Sequence, residues 1–403
     1  MDPKKNIFDI TLKRVTLAPD GFTRSLATIN GQYPGPTIEA KKGDRIVINV
    51  RNELGEPTLF QRGTPWFDGV AGQTQCLIPD NYAFTYDFTV PDQAGTYWYH
   101  SHALTQYVDG IIHDPDDPYL NEYDEEIIVM LTDYHHTESE ILLKKFLTPS
   151  SEGDEINGKN NFDCSQAPHV SKCVDNSGLA KFEFVSNKRY RLRIINTSAF
   201  SAFFFSIDKH EMEVIEVEGS YTKRNKIHRL PINVAQRYSV IVTVNQPVDN
   251  YIMRSEFQKK CMPDDAKKLS IVKAIVHYDG APEDSAPKDV PWKDFLEECI
   301  DLKHETLQPL YEENLPKATK EMELTIAFHN DSSGVVRAFF NESSYVPDIK
   351  FPTLSRIFAG KANNLPRDRN AYIFDTPGEV VDITFITKDN YHDTDEGDHP
   401  FHM

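Results

Sequence analysis

Short segments in which apolar and polar residues alternate recur along the chain, separated by glycine, proline and asparagine. The alternation is clear in Arg45–Val50, Arg189–Ile194 and Val381–Ile386. A two-residue period places the apolar side chains on one face of a strand, so these segments predict half-buried β-strands. Because most of the chain follows this pattern, we predict an all-β protein.

The three alternating segments also align with one another. Gly43–Asn52, Asn187–Asn196 and Gly378–Thr387 each begin with a turn residue and, nine positions later, reach a polar strand end. Their spacing is far too long for a solenoid repeat. The alignment therefore favours three copies of one β-sandwich domain over three unrelated amphipathic strands.

Two polar stretches that contain proline and glycine suit linkers between the copies, Phe146–Asp163 and Gly280–Pro287. We therefore predict domains over residues 1–145, 146–285 and 286–403. The third copy stops soon after a strand that still needs partners in a sandwich. We expect this domain to be incomplete at its C-terminus.

Charge and hydropathy exclude several classes of protein. The 403 residues include 43 Lys and Arg against 62 Asp and Glu, a formal net charge of −19. Nucleic acids and anionic membranes both require a basic surface, so neither is an expected partner. No apolar run has the length of a transmembrane helix. Met1–Asn6 lacks the apolar core of a signal peptide, which predicts the cytosol or an incomplete N-terminus.

Cysteines and glycosylation sequons leave the compartment open. None of the five cysteines forms a Cys-x-x-Cys pair. Sequons begin at Asn196, Asn330 and Asn341, and three is close to the number that chance gives for this length.

The segment Gly95–His102 carries the first candidate metal ligands. On a strand, His100 and His102 project from the same face because they are two residues apart. Two imidazoles on one face suit copper or zinc. The alternative is a pair of half-exposed surface histidines.

A second candidate pair, His399 and His402, stands at the end of the sequence. Pro400 fixes the local backbone, so the two imidazoles are able to serve different metals on either side of a bend. His113 and the pair His135-His136 have no partner at a useful spacing, and we expect them to be solvated.

An ordered series of motifs resembles the multicopper oxidases, the family of laccases, fungal ferroxidases and ascorbate oxidases. The matching blocks are Ile29–Ile38 with Gly43-Asp44, Trp66–Gly69 with Gln73–Cys76, Gly95–Gly110, Arg229–Tyr238 and His399–His402. The resemblance runs nearly from end to end, and it implies three cupredoxin-like Greek-key β-sandwiches.

The resemblance also implies a reaction and its site. Copper-dependent one-electron oxidation of a phenol or of Fe(II) is coupled to the reduction of O2 to water. By position, His100 and His102 would ligate the type 3 coppers, His399 the type 1 copper and His402 the type 2 copper. Asp68 matches an acidic residue that relays protons. Further expectations are copper as cofactor, O2 and a small reductant as partners, a monomer, and an extracellular or cell-surface location.

Glu155 and Asp395 occupy positions where ferroxidases of this family place carboxylates to bind iron. Hard oxygen ligands suit iron, and they stabilise Fe(III) more than Fe(II). Both residues also lie in acidic runs, where a match arises easily by chance. The choice between a phenol and Fe(II) therefore stays open at the level of sequence.

The chain departs from the family pattern at several places. Leu54–Gly63 contains no histidine where the family has its first His-x-His motif, and further gaps fall after Gly110 and at Glu155-Ile156. The sequence ends at Met403, before the fourth motif with its type 1 cysteine. We therefore expect impaired copper binding and turnover. The alternatives are a non-enzymatic truncated paralogue that binds little or no copper, and a mispredicted gene whose true product is longer and active.

The resemblance also bears on the cysteines. Cys76 matches a position that in many relatives pairs with a C-terminal cysteine, so we expect it to be free here. Cys164 and Cys173 are able to pair locally if the compartment is oxidising.

Overall fold

The structure is a computed structural model of the protein. It describes residues 4–58, 70–100, 107–137, 153–167, 171–261, 271–294, 299–312, 314–332, 334, 336–374 and 376–387. This part of the chain is built almost entirely of strands, which confirms the all-β prediction. It contains one short α-helix, α1 (Thr353–Phe358). Five single-turn 3-10 helices accompany it, Cys164–Gln166, Lys259–Cys261, His304–Thr306, Ala362–Asn364 and Arg367–Arg369.

Strands in the first part of the chain form a sandwich of two sheets. Their bounds are β1 (Lys5–Leu17), β2 (Arg24–Ile29), β3 (Ile38–Lys41), β4 (Arg45–Glu53), β5 (Ala83–Thr89), β6 (Gly95–His100) and β7 (Tyr107–His113). One sheet has the order β2-β1-β4-β5 and the other the order β3-β7-β6. Ile48 and Val50 of the first sheet share one apolar core with Tyr99 and Ile112 of the second.

A larger sandwich follows. Its strands are β8 (Glu125–Tyr134), β9 (Gly153–Ile156), β10 (Lys181–Phe184), β11 (Arg189–Asn196), β12 (Phe203–Ile207), β13 (Met212–Val217), β14 (Ser220–Ile227), β15 (Arg229–Ile232), β16 (Arg237–Thr243), β17 (Asn250–Phe257) and β18 (Val272–Tyr278). The sheet β14-β13-β16-β11-β8-β9 packs on the sheet β10-β18-β17-β12-β15. Leu192 and Val240 meet Phe203 and Met253 in the core between them.

The last described strands are β19 (Lys320–Asn330), β20 (Val336–Phe340) and β21 (Val381–Thr387). They form one sheet with the order β20-β19-β21. Leu324 and Ile326 of β19 are buried, whereas most of β21 is exposed.

The structure confirms the internal repeat. In each copy the first strand runs parallel to the strand that the alternation predicted, through the pairs Asn6 with Ile46, Glu125 with Tyr190 and Lys320 with Val381. An antiparallel strand lies on the other side of each first strand, namely β2, β9 and β20. The turn residues Gly43, Asn187 and Gly378 all have a positive φ, of 91°, 67° and 79°. The three sheets therefore share one order and one entry turn.

This repeat bears on the domain boundaries. Strand β8, which falls inside the predicted first domain of residues 1–145, hydrogen-bonds to β11 in the second sandwich. Residues that follow Gly280–Pro287 also pack on the second sandwich, since the Trp292 indole donates to the carbonyl of Ile207 over 3.1 Å and Leu302 joins the second core. We propose that the boundaries lie within residues 114–124 and 313–319.

Candidate metal centre

His100 is the one predicted copper ligand whose side chain lies in the described part of the chain. Of the other predicted site residues, Asp68, His102, Asp395, His399 and His402 lie outside it. Glu155 lies in β9, opposite Thr132 of β8, and only its backbone is described. The assignment of these residues stays a prediction.

His100 is the last residue of β6. Its half-buried imidazole stacks on the indole of Trp98, with ring centroids 3.9 Å apart and an interplanar angle of 16°. The two residues are two positions apart, so the stack follows from the period of the strand. The imidazole fits the donor type that copper prefers. Within the described ranges no three His, Cys, Asp or Glu side chains cluster closely enough to hold a metal.

The first residue of the same strand lies directly against the second sandwich. A Cβ atom on Gly95 would stand 2.4 Å from Oε1 of Glu216 and 2.7 Å from the Cα of Gly219. The backbone amide of Thr96 donates to the same Oε1 over 3.1 Å. Only glycine permits this approach, so β6 begins at a fixed contact between the two sandwiches.

The remaining polar groups of Thr96 are bound by the second sandwich as well. Arg193 donates from Nη1 to its hydroxyl over 2.8 Å, and Arg237 donates from Nε to its carbonyl over 3.0 Å. The Arg237 guanidinium also lies over the ring of Tyr97, 5.4 Å from the centroid. The backbone amide, carbonyl and hydroxyl oxygen of Thr96, the second residue of the strand that ends in His100, are therefore all bonded to the second sandwich.

These contacts belong to a buried group of charges. Arg191 binds Glu216 over 2.5 Å and Asp117 over 2.7 Å, and each of these three side chains is at most 3% exposed. Burial opposes ionisation of Glu216, but the charges of Arg191 and Arg193 outweigh it and hold the pKa of this carboxyl below its ordinary value. The carboxylate is thus ionised at neutral pH and is matched by arginines, as a buried charge must be.

Glu126 completes the arrangement from β8. Burial again opposes ionisation, but hydrogen bonds and charge from Arg193, at 3.0 Å, lower the pKa of Glu126 to about 2. These residues were not predicted, because arginines that alternate with apolar residues resemble the solvent-facing side of a strand. A sign of their burial is visible in the sequence, because Arg191 and Arg193 stand two positions apart within a strongly apolar strand.

Residues near the predicted Gln73–Cys76 block contact the third copy. The amide of Thr353 donates to the carbonyl of Gly72 over 2.9 Å, and that of Leu354 donates to the carbonyl of Gln73 over 2.8 Å. The Tyr345 hydroxyl donates to the carbonyl of Ala71 over 3.0 Å. The first residues of α1 thus dock on the first sandwich.

The cysteines agree with what was expected of Cys76, Cys164 and Cys173. Cys76 is free and exposed, and Cys164 is bonded to Cys173. A second disulfide between Cys261 and Cys299 was not predicted.

The prediction that His136 is solvated is wrong. Its side chain is 6% exposed, its Nε2 lies 2.6 Å from Oδ2 of Asp20, and it stacks on Phe22 with centroids 4.0 Å apart. Asp20 is far away in sequence, so spacing alone gave no sign of this partner. His113 is half-buried beside Glu39, 3.2 Å away.

Comparison with known proteins shows which family has this architecture. One multicopper oxidase family model matches residues 125–281, and a second matches residues 11–113. The chain is 32% identical to a laccase of Pycnoporus cinnabarinus, over 98% of this chain and 76% of the laccase. It is 34% identical to the iron transport multicopper oxidase FET3 of Gibberella zeae, over 98% of this chain and 63% of that protein.

Solved structures agree. The laccase of Botrytis aclada superposes with a TM-score of 0.80 at 29% identity, over 91% of this chain and 69% of that chain. Fet3p, a multicopper oxidase that functions in iron import, superposes with a TM-score of 0.76 at 28% identity, over 87% and 66%.

The chain therefore belongs to the multicopper oxidase family. Members of this family are oxidoreductases that use copper and O2. In the part of the chain that the structure describes, no helix is both long and apolar enough to cross a membrane.

Proposed function

We propose that this chain binds copper through His100, His102, His399 and His402 and oxidises a small reductant by single electrons, with reduction of O2 to water. The observation that supports this most directly is the fixed start of β6, because it restrains the strand that presents His100. Copper, when bound, supplies the one-electron chemistry. The imidazole of His100 offers a nitrogen lone pair, and the stack on Trp98 restrains its ring.

Proton supply is the second part of the proposal. Reduction of O2 to water consumes protons, and we assign their delivery to Asp68 because a carboxylate is suited to general acid catalysis in a site with little water. This assignment rests on the motif Trp66–Gly69.

We propose further that turnover is impaired. No histidine precedes Trp66 where the family has its first motif, so part of the copper-binding set has no counterpart in the sequence. The same observation favours the second candidate function, a non-enzymatic paralogue that binds little or no copper.

The reductant is proposed to be a phenol or Fe(II). Similarity to laccases supports the first, and similarity to the iron transport oxidases supports the second. Glu155 in β9 and Asp395 are the proposed iron-binding carboxylates. Two disulfides support an extracellular or cell-surface location, since such bonds persist in oxidising compartments. We propose a monomer.

The test is copper per chain in the purified protein, with O2 uptake on a phenol and on Fe(II). We expect His100→Ala to reduce bound copper and any turnover. His113→Ala, a half-buried histidine of the same sheet, is the matched control and retains both. A wild-type chain without copper or O2 uptake contradicts the enzymatic proposal and supports the paralogue.

Glu155→Ala separates the two reductants. If Fe(II) is the substrate, this variant loses Fe(II) oxidation and keeps phenol oxidation. Equal loss of both activities contradicts an iron-binding role for Glu155.

A further inference from the structure

The three sequons have very different surroundings, and the structure describes the asparagine of each. N-glycosylation attaches a bulky, hydrophilic glycan to the amide nitrogen of the asparagine, so a folded chain carries one only where that nitrogen faces solvent. This requirement excludes Asn196, whereas Asn341 differs from Asn330 in the hydrogen bonds that its side-chain amide makes.

Asn196 is completely buried at the end of β11. Its Nδ2 donates to the carbonyls of Ser201 and Ile232 over 2.8 Å and 3.2 Å. Its Oδ1 accepts from the amide of Ser198 over 3.0 Å. A glycan on this nitrogen is incompatible with the folded second sandwich.

The first sandwich shows why an asparagine stands there. Asn52, the equivalent residue of β4, accepts from the amide of Leu54 over 3.1 Å and donates to the carbonyl of Ile78 over 2.9 Å. Asn52 begins no sequon. The repeated fold therefore accounts for Asn196 without any modification.

Asn341 is also part of the repeated structure. It follows β20 with a φ of 47°, accepts from the amide of Thr325 over 2.9 Å, and donates to the carbonyl of Glu323 over 3.3 Å. Its Nδ2 also donates to the hydroxyl of Tyr372 over 3.2 Å.

Two further asparagines make the same turn in the other copies. Asn30 accepts from Thr11 over 2.7 Å, and Asn157 accepts from Met130 over 2.6 Å. Asn30 also donates from Nδ2 to the carbonyl of Asp9, and Asn157 donates to that of Ile128. Each of these carbonyls lies two residues before the donating amide, at Thr11 and at Met130. Neither asparagine begins a sequon, so the turn itself explains Asn341.

Asn330 differs from both. It is the exposed last residue of β19, at the entrance of the hairpin to β20, and Ser332 of its sequon is exposed too. Its backbone pairs with Val336 of β20, but among the described residues its side-chain amide makes no hydrogen bond. In the aligned first strands its equivalents are Thr16 and His135. The fold therefore does not require asparagine at this position.

We propose that Asn330 is the N-glycan acceptor of this chain, and that Asn196 and Asn341 are unmodified in the folded protein. The Nδ2 atom forms a bond to the anomeric carbon of an oligosaccharide while the bond from that carbon to the diphosphate of a polyprenyl-diphosphate donor breaks. The amide loses one proton. The inference rests on the secretory location in the proposed function, which the two disulfides support.

The test is expression of the full 403-residue chain behind a cleavable secretion leader in yeast, followed by mass spectrometry of its peptides before and after release of N-glycans. We expect a glycan on Asn330 and none on Asn196 or Asn341. Asn330→Gln removes the glycan. Made without glycans in a bacterial host, this variant unfolds at the same urea midpoint as the wild type.

Asn341→Gln is the matched variant. It keeps the glycan on Asn330 and lowers the urea midpoint, because its turn loses two hydrogen bonds. An unmodified Asn330, whether the chain is secreted or retained in the cell, overturns the proposal, and so does a glycan on Asn196 or Asn341 of the folded protein. Absence of copper or turnover in the same preparation contradicts only the proposed function, because mass spectrometry detects the glycan whether or not the protein binds copper.

Discussion

At Gly95 the backbone of the first sandwich lies against the second with no room for a side chain. Oε1 of Glu216 is held in place by the amide of Thr96, and the Cα of Gly219 belongs to the backbone of a turn. Neither atom is the free end of a flexible side chain. The sterics of one residue therefore control the contact between two sandwiches.

Gly95→Ala is expected to destabilise the protein by about 1–3 kcal/mol beyond the strain of its positive φ, because overpacking displaces Glu216 or the turn. Gly55→Ala is the control, since Gly55 also has a positive φ but has nothing within 4 Å of its Cβ position. Urea unfolding measures both variants. Equal losses of stability argue against a steric contact at Gly95.

Glu126 gives a prediction for acid conditions. Its pKa is about 2 in the folded chain against an ordinary value of 4.5, so the folded state binds this proton less readily than the unfolded state. The resulting stability is complete above about pH 4.5 and is lost as the pH falls towards 2.

Glu126→Gln is accordingly expected to be less stable than the wild type at pH 7, and to lose less stability between pH 4.5 and 2. The free energy of unfolding from urea titrations across this range measures the slope. Glu312→Gln, at an exposed glutamate, controls for the loss of one carboxylate. A wild-type acid slope that persists in Glu126→Gln contradicts the assignment.

At the scale of elements, the alternation in Arg45–Val50, Arg189–Ile194 and Val381–Ile386 predicted strands correctly. In β4 the polar positions are the more exposed ones, whereas β11 is buried on both faces and its polar positions include buried arginines. The repeated turns after β2, β9 and β20 were missed, although Ile-Asn-Gly occurs twice in the sequence. Partners distant in the chain, such as Glu216 for Thr96, leave no periodic signal, so the contacts that fix β6 were not predictable.

Part of the candidate site was also predictable from the sequence, and part was not. His100 was found because a period of two is visible in the sequence, and the motif resemblance supplied the other ligands. The buried arginines at the start of β6 were missed because periodicity shows which side of a strand is polar, but does not show whether another domain covers that side. The alternation therefore gives the face on which a side chain lies, but not whether that face is buried at the contact between the two sandwiches.

The two disulfides differ in the loops they close. Cys261 and Cys299 are 38 residues apart, whereas Cys164 and Cys173 are 9 apart. On the loop-entropy account, the longer loop stabilises by about 1 kcal/mol more. We expect the serine double variant of the Cys261–Cys299 pair to lose that much more stability than the other double variant, as measured by urea unfolding. The reverse order contradicts the entropic account.

At the scale of the whole molecule, burial is uneven. The second sandwich encloses one continuous apolar core, whereas the described sheet of the third copy has few buried residues and β21 is largely exposed. Local opening free energies follow buried contacts, so the copies differ in local stability.

Native-state hydrogen exchange is therefore expected to be slowest at the amides of β11, β12, β16 and β17 and fastest, among paired strands, in β20 and β21. Mass spectrometry of peptides from these segments measures the difference. Protection of β21 equal to that of β11 argues against the uneven burial.

The parallel pairing of each first strand has a consequence for synthesis on the ribosome. In each copy the first strand, β1, β8 or β19, leaves the ribosome before the others. Its parallel partner, β4, β11 or β21, follows only about 40–65 residues later. Contacts so distant along the chain close slowly. Each first strand therefore pairs early with β2, β9 or β20 along one edge, while its other edge stays open until the parallel partner is made, and during that interval the open edge is exposed to pairing with other chains.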